Sequence, residues 1–136
     1  MRPYFALAAL LMLAGSCPPK IEGFVAIDRA VYEWRQMSSQ GVIVAYRERP
    51  NDPEASLEFW AEVTEKELTL NRGYHLESKT EIPQGRSLLF AAPEERAYLL
   101  ILLVDADWIR TLEAGGPREG VRREAAKLVE LMGQKR

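Results

Sequence analysis

Residues 97–104 read Ala97-Tyr98-Leu99-Leu100-Ile101-Leu102-Leu103-Val104, eight apolar residues in a row without alternation. A half-buried strand alternates apolar and polar residues, and an amphipathic helix repeats every 3 to 4. This run does neither, so it is a strand buried on both faces or a buried helix. Short turn signals on each side, Pro93-Glu94-Glu95 and Asp105-Ala106-Asp107, favour the strand. A strand buried on both faces needs cover on both sides of its sheet.

The neighbouring segments supply the rest of that sheet. Trp108–Glu113 reads as the partner strand after the Asp turn, and Ser87–Ala92 as the strand before the Pro93 turn. Tyr74–Ile82 alternates, which predicts one solvated face. Upstream, Val31–Met37 alternates with Tyr32 and Trp34 on one side, Ser38-Ser39-Gln40-Gly41 turns the chain, and Val42–Tyr46 returns as a second strand. Phe24–Ile27 is open as a short extra strand. Short connections make the sheet largely antiparallel.

Two segments have the helical period. In residues 53–71, Leu57, Ala61, Thr64 and Leu68 share one face, with Asn51 or Asp52 as the expected cap, Pro53 in the first turn and Gly73 as the stop. Trp60, Val63, Phe59 and Leu70 widen the apolar arc beyond the ~100° stripe of a simple surface helix. Ala114-Gly115-Gly116-Pro117 is expected to end the sheet and open a last helix with Val121, Ala125, Leu128 and Met132 inward. The predicted fold is a single α/β (α+β) domain in the order ββ-α-ββββ-α. Its sheet is largely antiparallel with a helix on each face, an α/β/α sandwich.

The N-terminus belongs to no fold. Residues 1–16, MRPYFALAALLMLAGS, have one basic residue, an apolar run from Tyr4 to Ala14 and small residues after it, the pattern of a secretory signal. The run is roughly 16 Å long as a helix against a hydrocarbon core of ~30 Å, too short for a stable span. Leu13-Ala14-Gly15-Ser16-Cys17 resembles a bacterial lipobox, with Ala14 where Leu is more usual. That resemblance implies cleavage before Cys17 and acylation of Cys17, the only cysteine, with palmitate-type chains. A blocked sulfur also removes the oddity of one unpaired cysteine in an oxidising compartment.

Domain boundaries follow: signal peptide 1–16, lipidated Cys17 with a Pro-containing tether over 17–23, and one domain over 24–136. The six residues between Cys17 and Phe24 reach about 20 Å fully extended, so the domain is expected close to its membrane. Losing Arg2 leaves 17 of the 18 Lys and Arg against 20 Asp and Glu, a net charge of −3. Anchoring therefore rests on lipid rather than on a polybasic patch. Pro18 is not the Asp that suggests inner-membrane retention; inner and outer membrane both stay open.

The hairpin with Trp34, then GVIVAYRERPN, LEFWAEVTEKEL, the GR-LLF strand, the long apolar strand and WIRTLEAGGP before the last helix resemble the PsbP/DcrB-like superfamily. The resemblance spans most of residues 28–132 in order and spacing. It implies a small exported α/β/α domain, often lipid-anchored, with an accessory or assembly role; no functional residue carries over.

Candidate chemistry is sparse. His75, the one histidine, falls on the polar face of its strand, which favours a solvated residue over a catalytic base. Asp105 and Asp107 can contribute to a weak Ca²⁺ site, but Asp is a standard turn former and the plain turn is the stronger reading. Glu58, Glu62 and Glu65 read as a wet helix face. In AGGPREG, backbone N–H groups at a helix start with Arg118 nearby can meet an anion, yet Pro117 removes one donor and no phosphate-loop or dinucleotide fingerprint is present. No triad order is visible.

The expectation is a non-enzymatic protein without metal or cofactor. The acidic balance gives no nucleic-acid footprint. The leading reading is a lipid-anchored, exported module that binds or assembles with an envelope protein, its partner surface at Phe59, Val63 and Leu70 if these stay exposed. The alternative is a carrier or sensor holding a small apolar ligand between sheet and helix.

Overall fold

The computed structural model of the chain describes residues 20–30 and 33–134. The segment 1–16 read as a signal, Cys17, and Val31 and Tyr32, read as strand positions, lie outside the described residues, as do the side chains of residues 28–30, 33 and 34.

The described chain is one mixed α/β domain: a seven-stranded, fully antiparallel sheet with two helices. In chain order it comprises β1 (Phe24–Ala30), β2 (Glu33–Ser38), β3 (Ile43–Pro50), α1 (Leu57–Lys66), β4 (His75–Ile82), β5 (Gly85–Ala92), β6 (Arg96–Val104), β7 (Trp108–Pro117) and α2 (Arg118–Gly133). Across the sheet the order is β1-β2-β3-β7-β6-β5-β4. Among the described residues, the one pairing between strands distant in sequence is β3 with β7, where Ile43 faces Gly115 and Pro50 faces Trp108. The Phe24 stretch forms a full strand, so the order is βββ-α-ββββ-α rather than ββ-α-ββββ-α.

β6 is buried along nearly its whole length, as its unbroken apolar run predicts, and its side chains divide between clusters by alternation. Leu99, Ile101 and Leu103 pack with Val42, Val44 and Tyr46 of the β3 region, Leu112 and Ala114 of β7, and Val121, Leu128 and Met132 of α2. Leu100 joins Leu68, Leu88 and Phe90, while Leu102 joins Ala61 and Ile109. The apolar stripe read in the last helix is thus its buried stripe.

Three boundaries differ from the sequence reading, each for a physical reason. First, α1 begins later than Pro53. Ser56, in extended conformation, caps it by accepting from the Phe59 N–H at 3.1 Å. The Asn51 side chain is occupied elsewhere and Pro53 precedes the helix. The helix then widens into a π-helical turn, Glu67–Asn71, which closes with Gly73 at φ +73 and the Tyr74 N–H on the Leu68 carbonyl at 3.0 Å.

Second, Ala114–Pro117 does not end the sheet; these residues stay in β7, paired to β3 on one side and β6 on the other. Gly116 is needed there by close approach. A Cβ on it would lie 2.8 Å from the Gly41 carbonyl oxygen and 3.1 Å from Val42 Cα, both backbone atoms. Third, β4 is exposed on both faces over Glu77–Glu81 rather than on one. It is the outer strand of the sheet, and only Leu76 and Ile82 near its ends reach partial cover.

The division of β6 predicts unequal costs. Ile101→Ala, at a fully buried site, is expected to lose about 2–5 kcal/mol in urea unfolding. Ile43→Ala, on the 42 % exposed side of β3, is expected to change stability by less than about 1 kcal/mol. Equal losses would contradict this assignment of faces.

Candidate functional site

The polar side chains singled out in the sequence are largely committed to one another. Glu58 receives the Arg86 guanidinium at 2.6 Å, and Arg86 also donates to Glu81 at 2.6 Å. The hydrogen bond from Arg86 and its positive charge hold the Glu58 carboxyl below the usual carboxylate range, and the same bonds raise Arg86. Glu65 pairs with Lys79 at 3.1 Å and Glu62 with Lys66 at 3.8 Å. Glu58, Glu62, Glu65, Lys66, Lys79 and Arg86 line a surface cleft of about 320 Å³ in which each carboxylate has a cation beside it. The Glu face of α1 is therefore charge-balanced rather than an acidic strip.

Asp105 and Asp107 behave as a turn. Asp105 Oδ1 accepts from the backbone N–H groups of Asp107 at 2.9 Å and Trp108 at 2.7 Å, and Oδ2 receives Arg110 at 3.1 Å. Burial opposes ionisation of Asp105, but the Trp108 and Asp107 N–H bonds and Arg110 outweigh it and hold the carboxyl low. Arg110 also approaches Glu48 at 3.6 Å, and buried Glu48 accepts the Tyr46 hydroxyl at 2.7 Å. Burial first, then this bond to a carboxylate, pushes the Tyr46 phenol far above its ordinary value. Among the described residues no cluster of three or more His, Cys, Asp or Glu has the arrangement of a metal site.

Arg118, weighed as an anion ligand, is spent on the β5–β6 turn. Its backbone N–H donates to the Glu95 carbonyl at 2.9 Å and its guanidinium to the Ala92 and Arg96 carbonyls at 3.2 and 3.4 Å. That turn carries Glu94 and Glu95 at φ +63 and +59, a left-handed pair unusual for residues with a Cβ. Arg118 thus clamps a turn that lacks glycine. His75 is exposed on β4.

Asn51 is the polar residue whose importance the sequence reading missed. It is 5 % exposed and uses all four side-chain hydrogen-bonding positions. Its amide donates to the Ala55 and Asp105 carbonyls at 2.9 and 2.8 Å, and its oxygen accepts from the Ala55 N–H and Trp60 Nε1, both at 3.0 Å. Its backbone N–H bonds the Asp107 carbonyl at 2.9 Å. One side chain so ties the end of β3, the entry to α1 and the β6–β7 turn. The available signal was an Asn directly after the Arg-Glu-Arg-Pro end of a strand, which reads equally well as a helix cap.

The candidate partner residues lie on the outside of α1 and its π-helical turn. Phe59 is 50 % exposed, Val63 44 % and Leu70 77 %; Phe59 and Val63, four residues apart, share a face of α1, and Leu70 follows on the π-helical turn that continues it. Phe59 stands edge-on to Trp60 at 5.1 Å between centroids, and Arg49 lies 5.2 Å from the Trp60 ring. Beneath the helix, Leu68, Leu88, Phe90, Leu100, Tyr74 and Tyr98 pack together where the carrier reading would seat a ligand. No protein-family model matches this chain, and no curated protein matches it.

Asn51→Ala strands buried groups on three elements at once. It is expected to lower stability by about 1–3 kcal/mol, with a shift in tryptophan emission as Trp60 Nε1 loses its acceptor. A loss no larger than that of an exposed polar substitution would show that Asn51 is not the tie described.

Proposed function

We propose that this chain is an exported bacterial lipoprotein, acylated at Cys17, whose domain binds or stabilises another protein of the cell envelope. The domain is read as an α/β/α sandwich, with α1 covering one face of the sheet at β5 and β6 and α2 covering the other. The carrying observation is the apolar stripe Phe59, Val63 and Leu70, left exposed on a helix whose inner face is already filled by Leu57, Trp60, Ala61 and Leu68. An isolated exposed apolar residue is unremarkable, but two on one face of a short helix and a third on the turn that continues it support an interaction surface. The helix–strand order, with a long apolar strand before the WIRTLEAGGP segment, supports the PsbP/DcrB-like reading, in which such domains serve as accessory or assembly factors.

The chemistry around the stripe fits a protein partner. Charge-paired Glu58, Glu62 and Glu65 border it, as expected of a polar rim around an apolar centre. The ionisable clusters of the domain are engaged in turn and strand contacts, so binding is the activity its exposed surface offers.

Site-specific photo-crosslinking from positions 59, 63 and 70 of the full-length protein in its own membrane tests this. The expected result is one discrete adduct from all three positions and none from exposed Thr80 on β4. Phe59→Asp with Leu70→Asp should abolish the adduct seen from position 63 while lowering the unfolding free energy by no more than about 2 kcal/mol, the scale of the lost Phe59–Trp60 edge contact and two exposed-site changes. No adduct from any of the three, or equal adducts from Thr80, would contradict the proposal.

A further inference from the structure

The route from the anchor into the fold is shorter than the sequence implies. Ile21 is only 6 % exposed and belongs to the same core cluster as Leu128 and Met132 of α2. The Phe24 N–H bonds the Ile21 carbonyl at 3.2 Å, and Lys127 of α2 donates to the Glu22 carbonyl at 2.9 Å. The same ammonium lies 5.7 Å from the Phe24 ring centre. Residues 21–24 are thus part of the domain. Chain free to act as a tether runs only from Cys17 to Lys20, and Ile21 lies within ~14 Å of the acylated residue even at full extension.

β1 begins three residues beyond that fixed point and forms one edge of the described sheet. The two edges have opposite character. On β1, Val25 is 69 % exposed and Ile27 47 %, and in register beside Val25 stands Met37, 37 % exposed. On β4, at the other edge, Glu77, Ser78, Lys79, Thr80 and Glu81 are all exposed. Six strand spacings separate the edges, roughly 29 Å.

We propose that the β1 edge is the membrane-facing side of the domain, with Val25 and Ile27 seated in the bilayer interface and β4 turned away. This rests on acylation of Cys17 and deepens that reading by fixing the orientation of the anchored domain. The occupant is lipid because a tether this short brings Val25 to the bilayer surface. An apolar edge there loses water without any ordering beyond what the anchor already imposes. By register Val25, Met37, Ile43 and Tyr98 point to one side of the sheet, the side on which α1 packs over β5 and β6, so the α1 stripe shares that side at the far end of the sheet from β1.

The test uses the acylated full-length protein, purified from membranes and reconstituted into phosphatidylethanolamine–phosphatidylglycerol vesicles. Val25→Cys, Ile27→Cys, His75→Cys and Thr80→Cys are each labelled with an environment-sensitive fluorophore, the native Cys17 sulfur being blocked by lipid. Labels at 25 and 27 are expected to shift to the blue and to be quenched several-fold more by nitroxide-labelled lipid than labels at 75 and 80. Equal quenching at all four positions overturns the orientation. A blue shift at 25 and 27 without lipid quenching also overturns it, since a second copy or another protein then covers the edge. Protein that does not float with the vesicles overturns the anchor itself, a failure distinct from the other two. If Val25→Cys fails to fold, Ile27→Cys carries the same comparison.

Discussion

A strand with apolar side chains on both sides cannot face water on either, and β6 imposes that constraint on everything around it. Its flanks are closed by β5 and β7, so its backbone groups are paired along its length. Leu99, Ile101 and Leu103 meet α2, and Leu100 and Leu102 meet residues of α1 and its π-helical turn. With both helices occupied near the middle of the sheet, the outer strands are left with less cover. They solve the problem differently: β4 by carrying polar residues on both faces, β1 by leaving Val25 and Ile27 to another environment.

What was legible in the sequence follows from that constraint. The unbroken run 97–104 and the helical spacing of Val121, Leu128 and Met132 have simple period signatures, and the structure has them as read. The wide apolar arc around Phe59, Val63 and Leu70 was also legible, but the period alone leaves open whether these residues stay exposed, and the structure has them exposed. Harder to read were features set by contacts between distant residues. Asn51 looks like a cap, yet its amide reaches Asp105, more than fifty residues away, and Ser56 caps instead. Gly115-Gly116 looks like a turn, yet Gly116 is in a strand and is required because the Gly41 backbone lies against it. Arg118 looks like an anion ligand, yet it clamps a turn whose two glutamates adopt left-handed backbone angles. In each case local chemistry allows two roles and tertiary contact selects one.

The polar groups tell a consistent story. Asp105, Arg110, Glu48 and Tyr46 form a chain from a turn into the core, and the carboxylates of α1 are matched by Arg86, Lys79 and Lys66. These groups organise the fold, which leaves the apolar surface as the feature to explain. Among the described residues it falls on the outside of α1 with its π-helical turn and on a row across β1–β3 made by Val25, Met37 and Ile43, and the proposed anchor lies next to only the second. A module held at a membrane as proposed, with one apolar region beside the anchor and another on α1 toward the far end of the sheet, suits capture of a neighbouring envelope protein.

That account stands on Cys17. The most direct measurement is the intact mass of the mature protein extracted from membranes, with fragmentation of its N-terminal peptide. The account predicts a chain that begins at Cys17 and carries acyl groups on that residue. A chain that begins at any other residue, or a Cys17 without lipid, would contradict it.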